Sequence, residues 1–521
     1  MTAPTPAPAA AAAPAPLAAE PAPTPAPAPA PVPADSAPAP AAEPTPARAP
    51  EPPPAADSTQ SNNAKINRFL ESEYQNDTES RDRAIAEGRR VLAERFEHVL
   101  GNFVDIGGYF RAGYGRNGKG ASQTAFAAPG AGAKYRLGNE AENYGELIFA
   151  KSVYLPGAFK MNEDLRPDGT PAGPIARVQI RLSMFSPYAT LGSASNTTFG
   201  LPEAWASVGN VFSALPEAKF WAGRRYYRRH DIHELDFFFW DMSGGGGGIE
   251  DVQVGPAKLA LAWIGFAGVS GLSNLPIPDP ANSAGFSKSN YDLRAYDIPL
   301  LGGRVEFGLA VSTQRSGLDQ SGEKAPTRTG FAGNIVHTVS DFISPGGTNK
   351  FTIQYGTGPA KTFNAGFETV DLPEGNFIRS PVTGSWRLRV TEHFIASLNE
   401  HFSLGPVLVF QATDQKDGTG RQYWYSAGVR PIVHFNRYFS IAADGGLDWV
   451  KDTGANTSAG LGKVTVAPQV SVGNRWDTRP VIRAFGTYAF WGEDFKGKVG
   501  GIDYANTQHG FSAGMQMEVW F

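Results

Sequence analysis

From residue 103 to its end the chain returns again and again to one pattern, apolar and polar residues in alternation. In ARVQIRLSMF, Val178, Ile180, Leu182 and Met184 alternate with Gln179, Arg181 and Ser183. In FVDIGGYFRAGYG, Val104, Ile106, Phe110 and Ala112 fall on one side, Asp105, Tyr109 and Arg111 on the other. The last residues repeat it, with Phe511, Ala513, Met515, Met517, Val519 and Phe521 opposed to Ser512, Gln516, Glu518 and Trp520. A period of two means strands with unlike faces. A soluble sandwich alternates as well, so length has to decide between them. Roughly 420 residues of strand and turn are too many for one sandwich and suit a large closed barrel. One face is rich in Val, Ile, Phe and Tyr and the other in Arg, Glu, Gln and Ser, which fits lipid outside and water inside. The expected fold is all-β, a large antiparallel transmembrane β-barrel over residues 102–521.

Composition agrees with this. The chain has 60 Gly, 12% aromatic residues and only 18% charged residues, a balance that favours strands and tight turns. No run of 18 apolar residues occurs, which excludes a helical membrane protein but not a barrel. A net charge of −4 argues against a nucleic-acid partner. With no cysteine, disulfides, thiolate metal sites and cysteine nucleophiles are all ruled out.

The first hundred residues differ. Residues 1–61 are Ala/Pro repeats holding about half of the 42 prolines; they lack backbone donors and apolar area, so a disordered, extended spacer is expected. The opening MTAPTPAPAA has neither the basic nor the apolar region of an export signal, so that signal is not visible in the sequence as written. Residues 62–101 are rich in Glu and Arg, and Ile85, Leu92 and Val99 recur at intervals of seven, interrupted at Gly88. An amphipathic helix or a short coiled coil, expected in the periplasm, fits that spacing. Peptidoglycan is a candidate partner for this extension.

The most unusual stretch is WAGRRYYRRHDIHELDFFFWD (221–241), followed by five glycines (244–248). A core strand could not bury so many charges unpaired. A narrow wet passage suits them, with charges on a polar solute and rings against its flat faces. His230 and His233 could be posed as metal ligands, but they lack the further ligands that zinc requires, so no metal and no cofactor are expected. The glycines have no Gly-Lys-Ser/Thr after them and are not a phosphate loop; the expectation is backbone folded tightly in a crowded lumen. Asp231 with Glu234, or Asp236 with Asp241, could be posed as a glycosidase pair; only their geometry would tell. Elsewhere, KYRLGNEAENYGEL sets Tyr144 and Glu146 on one face, RQYWYSAGVRP sets Trp424, Ser426 and Arg430 together, and TRPVIRAFGTY does the same for Arg479, Arg483, Phe485 and Thr487. Arginines and rings on one side of distant strands point to a single lumen. No sequence period of 20–50 residues indicates a solenoid.

These strings, together with MQMEVWF at the end, resemble the maltoporins, the trimeric sugar-specific porins of Gram-negative outer membranes, over nearly all of 103–521. The resemblance implies an 18-stranded barrel that assembles as a homotrimer among outer-membrane lipid. It also implies passive passage of maltose and maltodextrins along a stripe of aromatics flanked by charges, with no catalysis. Carried over, the aromatic path is Tyr109, Tyr144, Phe238, Phe331, Trp424 and Trp520, and the polar track is Arg111, Arg136, Glu146, Arg229 and Asp236. The family usually has tyrosine where Phe238 stands, an arginine at Pro202 and an aromatic at Gly333, with Phe331 two residues earlier. The family's tryptophan from a neighbouring subunit has no clear counterpart; Phe199 and Tyr188 are the candidates. The helical extension resembles that of sucrose-type porins, so a sucrose-type or less selective porin, or a wall-linked structural barrel, stays open as an alternative.

Overall fold

The computed structural model describes residues 104–154, 174–188, 197–212, 214–268, 286–315, 326–372, 375–378 and 382–521. The Ala/Pro spacer and the helix or coiled coil expected before residue 102 lie outside the described residues.

Eighteen antiparallel strands form one sheet. The first strand, Asp105–Asn117, pairs with Glu142–Tyr154 on one side and with the last strand, His509–Trp520, on the other, so the sheet closes on itself. Closure leaves no strand edge with unpaired backbone groups, which is what a sheet inside a hydrocarbon layer requires. At one end the strands are joined by two-residue turns at 255–256, 301–302 and 400–401; the connections 118–141 and 226–243 belong to the other end.

Alternation becomes inside and outside. Along Arg421–His434, Trp424, Ser426, Arg430 and His434 are buried, while Tyr425, Val429 and Val433 are exposed on the outer wall. On Thr457–Ser471, Lys463 and Thr465 turn inward and Val464 and Val466 outward. An outer wall of this kind is satisfied only by lipid or by another apolar surface.

The lumen is partly filled. Residues 118–141 fold inward, and the Tyr135 hydroxyl meets Ser426 Oγ at 2.9 Å. Its ring lies on the bare backbone of Gly428 and Gly446, where an ideal Cβ would come within 2.2 Å of ring carbons. Lys463 Nζ donates to the Leu137 carbonyl at 3.0 Å, and the Thr487 hydroxyl donates to that of Gly138 at 2.9 Å. Residues 226–243 also fold inward and carry a small hairpin of His230–Ile232 with Phe237–Trp240. Gln354 and Arg389 both donate to the Phe239 carbonyl at 2.9 Å, and Asp241 is bonded to the segment around Phe363. Trp240, Phe363, Ala310, Ala332 and Val336 make a dry core between this loop and the wall.

The five glycines lie elsewhere than expected. They begin the barrel strand Gly244–Val254 instead of folding in the lumen. An ideal Cβ on Gly246 would stand 2.0 Å from the Trp263 carbonyl oxygen and one on Gly248 2.4 Å from that of Leu261, whereas Gly245 meets nothing. Close approach of the neighbouring strand's backbone is what excludes side chains here.

Candidate functional site

The open part of the lumen lies between the first few strands and the loop 226–243. Tyr109, Arg111 and Glu518 are inward residues of the two strands that close the barrel, and Tyr144 and Glu146 follow on the next strand. The Tyr109 and Tyr144 rings are 6.1 Å apart and inclined at 49°. Tyr144 donates its hydroxyl proton to Glu146 at 2.5 Å, Tyr226 donates to the same carboxylate at 3.1 Å, and Arg181 binds it at 2.5 Å. Glu146 therefore orients two ring platforms.

The loop supplies the opposite side. Arg229 is held between two rings, 3.6 Å from the Tyr226 centroid and 4.4 Å from that of Phe238. Phe238 is 40% exposed. Asp236 caps a short turn in the left-handed region, φ 54°, with its carboxylate 3.9 Å from Arg111. Arg111 also binds Glu142 at 2.6 Å and Glu140 at 3.2 Å. Arg136 binds Glu140 at 3.0 Å and Glu518 at 3.2 Å and donates to the Tyr109 hydroxyl at 2.8 Å. Burial pushes the Glu140 carboxyl up, but Arg136, Lys134 and Arg111 outweigh it and hold it down at about 2. The remaining ring, Trp520, is 39% exposed, with Arg479 at 4.4 Å from its centroid and His233 edge-on at 5.6 Å.

These contacts bring Tyr109, Tyr144, Phe238, Trp520, Arg111, Arg136, Glu146, Arg229 and Asp236 to one side of the lumen. Two expected members stand apart. Trp424 points inward but is fully buried: Phe237 stands edge-on at 5.5 Å and its Nε1 donates to Asp448 at 2.9 Å, so no ring face is left for a solute. Phe331 points outward, because Ala332 and Asn334 occupy the inward positions; it is 53% exposed beside Tyr355, and Gly333 shares that outer face. Of the two candidates for a donated ring, Tyr188 is buried against Tyr114 of its own chain and Phe199 is 75% exposed.

Sequence reasoning missed Tyr226, Arg181 and Trp205. Tyr226 and its neighbour Tyr227 are chemically alike, yet the chain leaves the strand at Arg225, and Tyr227 alone becomes fully buried. Parity stops being informative where a strand stops. His230 is engaged by Glu306 at 2.9 Å.

Glu234, in the same loop, is buried against the wall with neither carboxylate oxygen hydrogen-bonded, near Trp476 and Gly405. Burial pushes its carboxyl up to about 7; Arg430 opposes this, and Asp444 and Asp231 add to it. A raised carboxyl favours the folded state while protonated. Its contribution is full below pH 4.5 and is lost as the pH rises through about 7. We therefore expect Glu234→Gln to remove a loss of stability of about 3 kcal/mol between those limits, read from urea unfolding at pH 4.5 and pH 8. Equal pH slopes for the two proteins would refute this.

The model of a family described as LamB porin matches residues 104–521. Among solved structures, Pseudomonas aeruginosa OccD3 (OpdP) is similar at 9% identity and a TM-score of 0.40, covering 80% of this chain and 91% of that one. Acinetobacter baumannii OccAB1 is similar at 7% and 0.42, covering 80% and 97%. Salmonella typhi OmpF, solved as a complex with daunomycin, is similar at 11% and 0.40, covering 80% and 98%. With its closed barrel, lipid-facing wall and polar lumen, the chain belongs to the LamB porin family, as a channel of the outer membrane and not an enzyme.

Proposed function

We propose that this porin is selective for saccharides, passing maltose and maltodextrins by facilitated diffusion. The observation that carries the reading is the set of partly exposed rings, Tyr109, Tyr144, Tyr226, Phe238 and Trp520, set among charges on one side of the lumen. A glucosyl unit has an apolar C–H face and a rim of hydroxyls. Each ring against that face contributes ~0.5–1.5 kcal/mol, by analogy with aromatic pairs. Arg and carboxylate groups hydrogen-bond the rim and offset its desolvation. Several shallow stations let a chain slide, where one deep station would trap it. Trp424 and Phe331 are not part of this path. The barrel is proposed to work as a homotrimer, with its short-turn end and the residues before 102 on the periplasmic side, where those residues meet peptidoglycan.

Single-channel recording in planar bilayers tests it. Maltose and maltotriose are expected to block ion current saturably, the longer sugar at lower concentration. Sucrose blocking as well as maltotriose would instead favour the sucrose-type alternative. Current indifferent to every sugar would leave a general porin.

A further inference from the structure

We infer that the chamber on the short-turn side of the constriction is a station for a saccharide carrying a negative group, a carboxylate or a phosphate on a pyranose ring. This rests on the proposed saccharide passage and narrows its substrate class.

A cavity of about 980 Å³ lies between the strands Ile175–Pro187, Thr198–Gly209 and Lys219–Arg225, the turn after residue 209 and the stem of the loop 226–243. Each acid on its wall is ion-paired, although Glu203 shares Arg181 with Glu146. Glu203 binds Arg181 at 2.5 Å, Glu250 binds Arg225 at 2.9 Å, Asp251 binds Lys219 at 2.7 Å and Glu217 binds Lys258 at 3.0 Å. Arg228 and Arg229 line the same cavity, and among the described residues no carboxylate lies within 4.0 Å of either. Rings hold them instead, Tyr296 at 3.5 Å from the Arg228 guanidinium and Tyr226 at 3.6 Å from that of Arg229. A ring orients a guanidinium but does not cancel its charge. Neither guanidinium is thus spent on a direct ion pair, Arg228 feeling Glu306 only at longer range, and both can meet an anionic substituent.

The wall also offers a platform. Trp205 is an inward, partly exposed residue with Arg225 at 4.4 Å from its centroid on one side, and it lines the chamber. Its Nε1 donates to Glu203 Oε1 at 3.2 Å, and the Tyr226 backbone N–H donates to the same oxygen at 3.0 Å. One carboxylate oxygen therefore fixes Trp205 relative to Tyr226, and Tyr226 fixes Arg229. A sugar ring seated on Trp205 puts its substituents toward the two arginines. A neutral sugar uses the platform alone, an inorganic anion uses the charges alone, and a charged sugar uses both.

Single-channel block of the full chain tests this with five probes: maltose, a glucuronic acid-containing disaccharide, glucose 6-phosphate, glucose and inorganic phosphate. Each charged sugar is expected to block at about tenfold lower concentration than the neutral sugar of equal ring count, as charge-assisted hydrogen bonds imply. An advantage confined to the uronate or to the phosphate sugar identifies the group recognised. The double variant Arg228→Gln/Arg229→Gln is expected to bring that ratio below about twofold, and Trp205→Ala to weaken block by all the sugars about threefold. Because the ratio is read within one protein, reduced folding does not mimic the effect. Maltose blocking as well as the uronate overturns the inference and leaves saccharide passage standing. Inorganic phosphate blocking as well as the charged sugars also overturns it, since the site would then read charge alone. If no sugar blocks, saccharide passage falls with it.

Discussion

Replacing Glu518 by glutamine is expected to destabilise the folded barrel by about 3–5 kcal/mol, the usual cost of leaving buried charges without their partner. The carboxylate is 3% exposed and binds Arg479 at 2.7 Å and Arg136 and Arg483 at 3.2 Å, with His233 at 3.4 Å. It also accepts a hydrogen bond from the Tyr109 hydroxyl at 3.0 Å. These partners come from the first strand, both inward-folded loops, the segment before the penultimate strand and that strand itself, so one anion ties five parts of the lumen together. Arg136 keeps Glu140 after the change, but no other ion pair is recorded for Arg479 or Arg483 among the described residues. Glutamine retains the shape and some of the hydrogen bonds, which isolates the charge. Urea unfolding in detergent measures the effect. A variant within about 0.5 kcal/mol of the parent, the scatter of ordinary surface substitutions, would mean that solvent already compensates the arginines.

The barrel was legible because a closed sheet with lipid outside and water inside writes itself as alternation. The strands Ile175–Pro187, Arg421–His434 and His509–Trp520 each have a charged or polar face that fixes which side is inward. The strand Arg328–Ser340 shows where this fails. Its inward residues include Ala332 and Val336, because the loop 226–243 and the segment around Phe363 pack against that wall. Between Gly330 and Val336 the inward face carries one polar residue, Asn334, so alternation is weak there, and the resemblance that implied Phe331 for the path set it on the face that turns outward. Parity has a second limit at Trp424. It gives the side of a residue but not its depth, and depth depends on a loop nearly 200 positions away in sequence, roughly a matter of tertiary packing that no local pattern records. The unusual composition of the run 221–241 marks a segment that leaves the wall and folds into the lumen. Which of its rings meet water was decided by the local path of the loop.

That difference in depth separates two substitutions that the sequence treats alike. Tyr144→Ala removes a partly exposed ring whose neighbours are Tyr109, Glu146 and open lumen. It is expected to weaken sugar block about 2–10-fold, the equivalent of one lost ring contact, with little change in unfolding. Trp424→Ala removes a fully buried ring that Phe237 abuts and whose Nε1 donates to Asp448. The cavity and the hydrogen bond lost to Asp448 are expected to cost about 3–5 kcal/mol of stability. Phe237 stands next to Phe238, so the loop loses its footing beside the constriction, and open-channel current is expected to rise and become noisier. Unfolding and single-channel recording on both variants read the two effects separately. Were Trp424→Ala to keep the parent's stability and conductance while weakening sugar block more than Tyr144→Ala, Trp424 would have to reach the solute, which its present packing forbids.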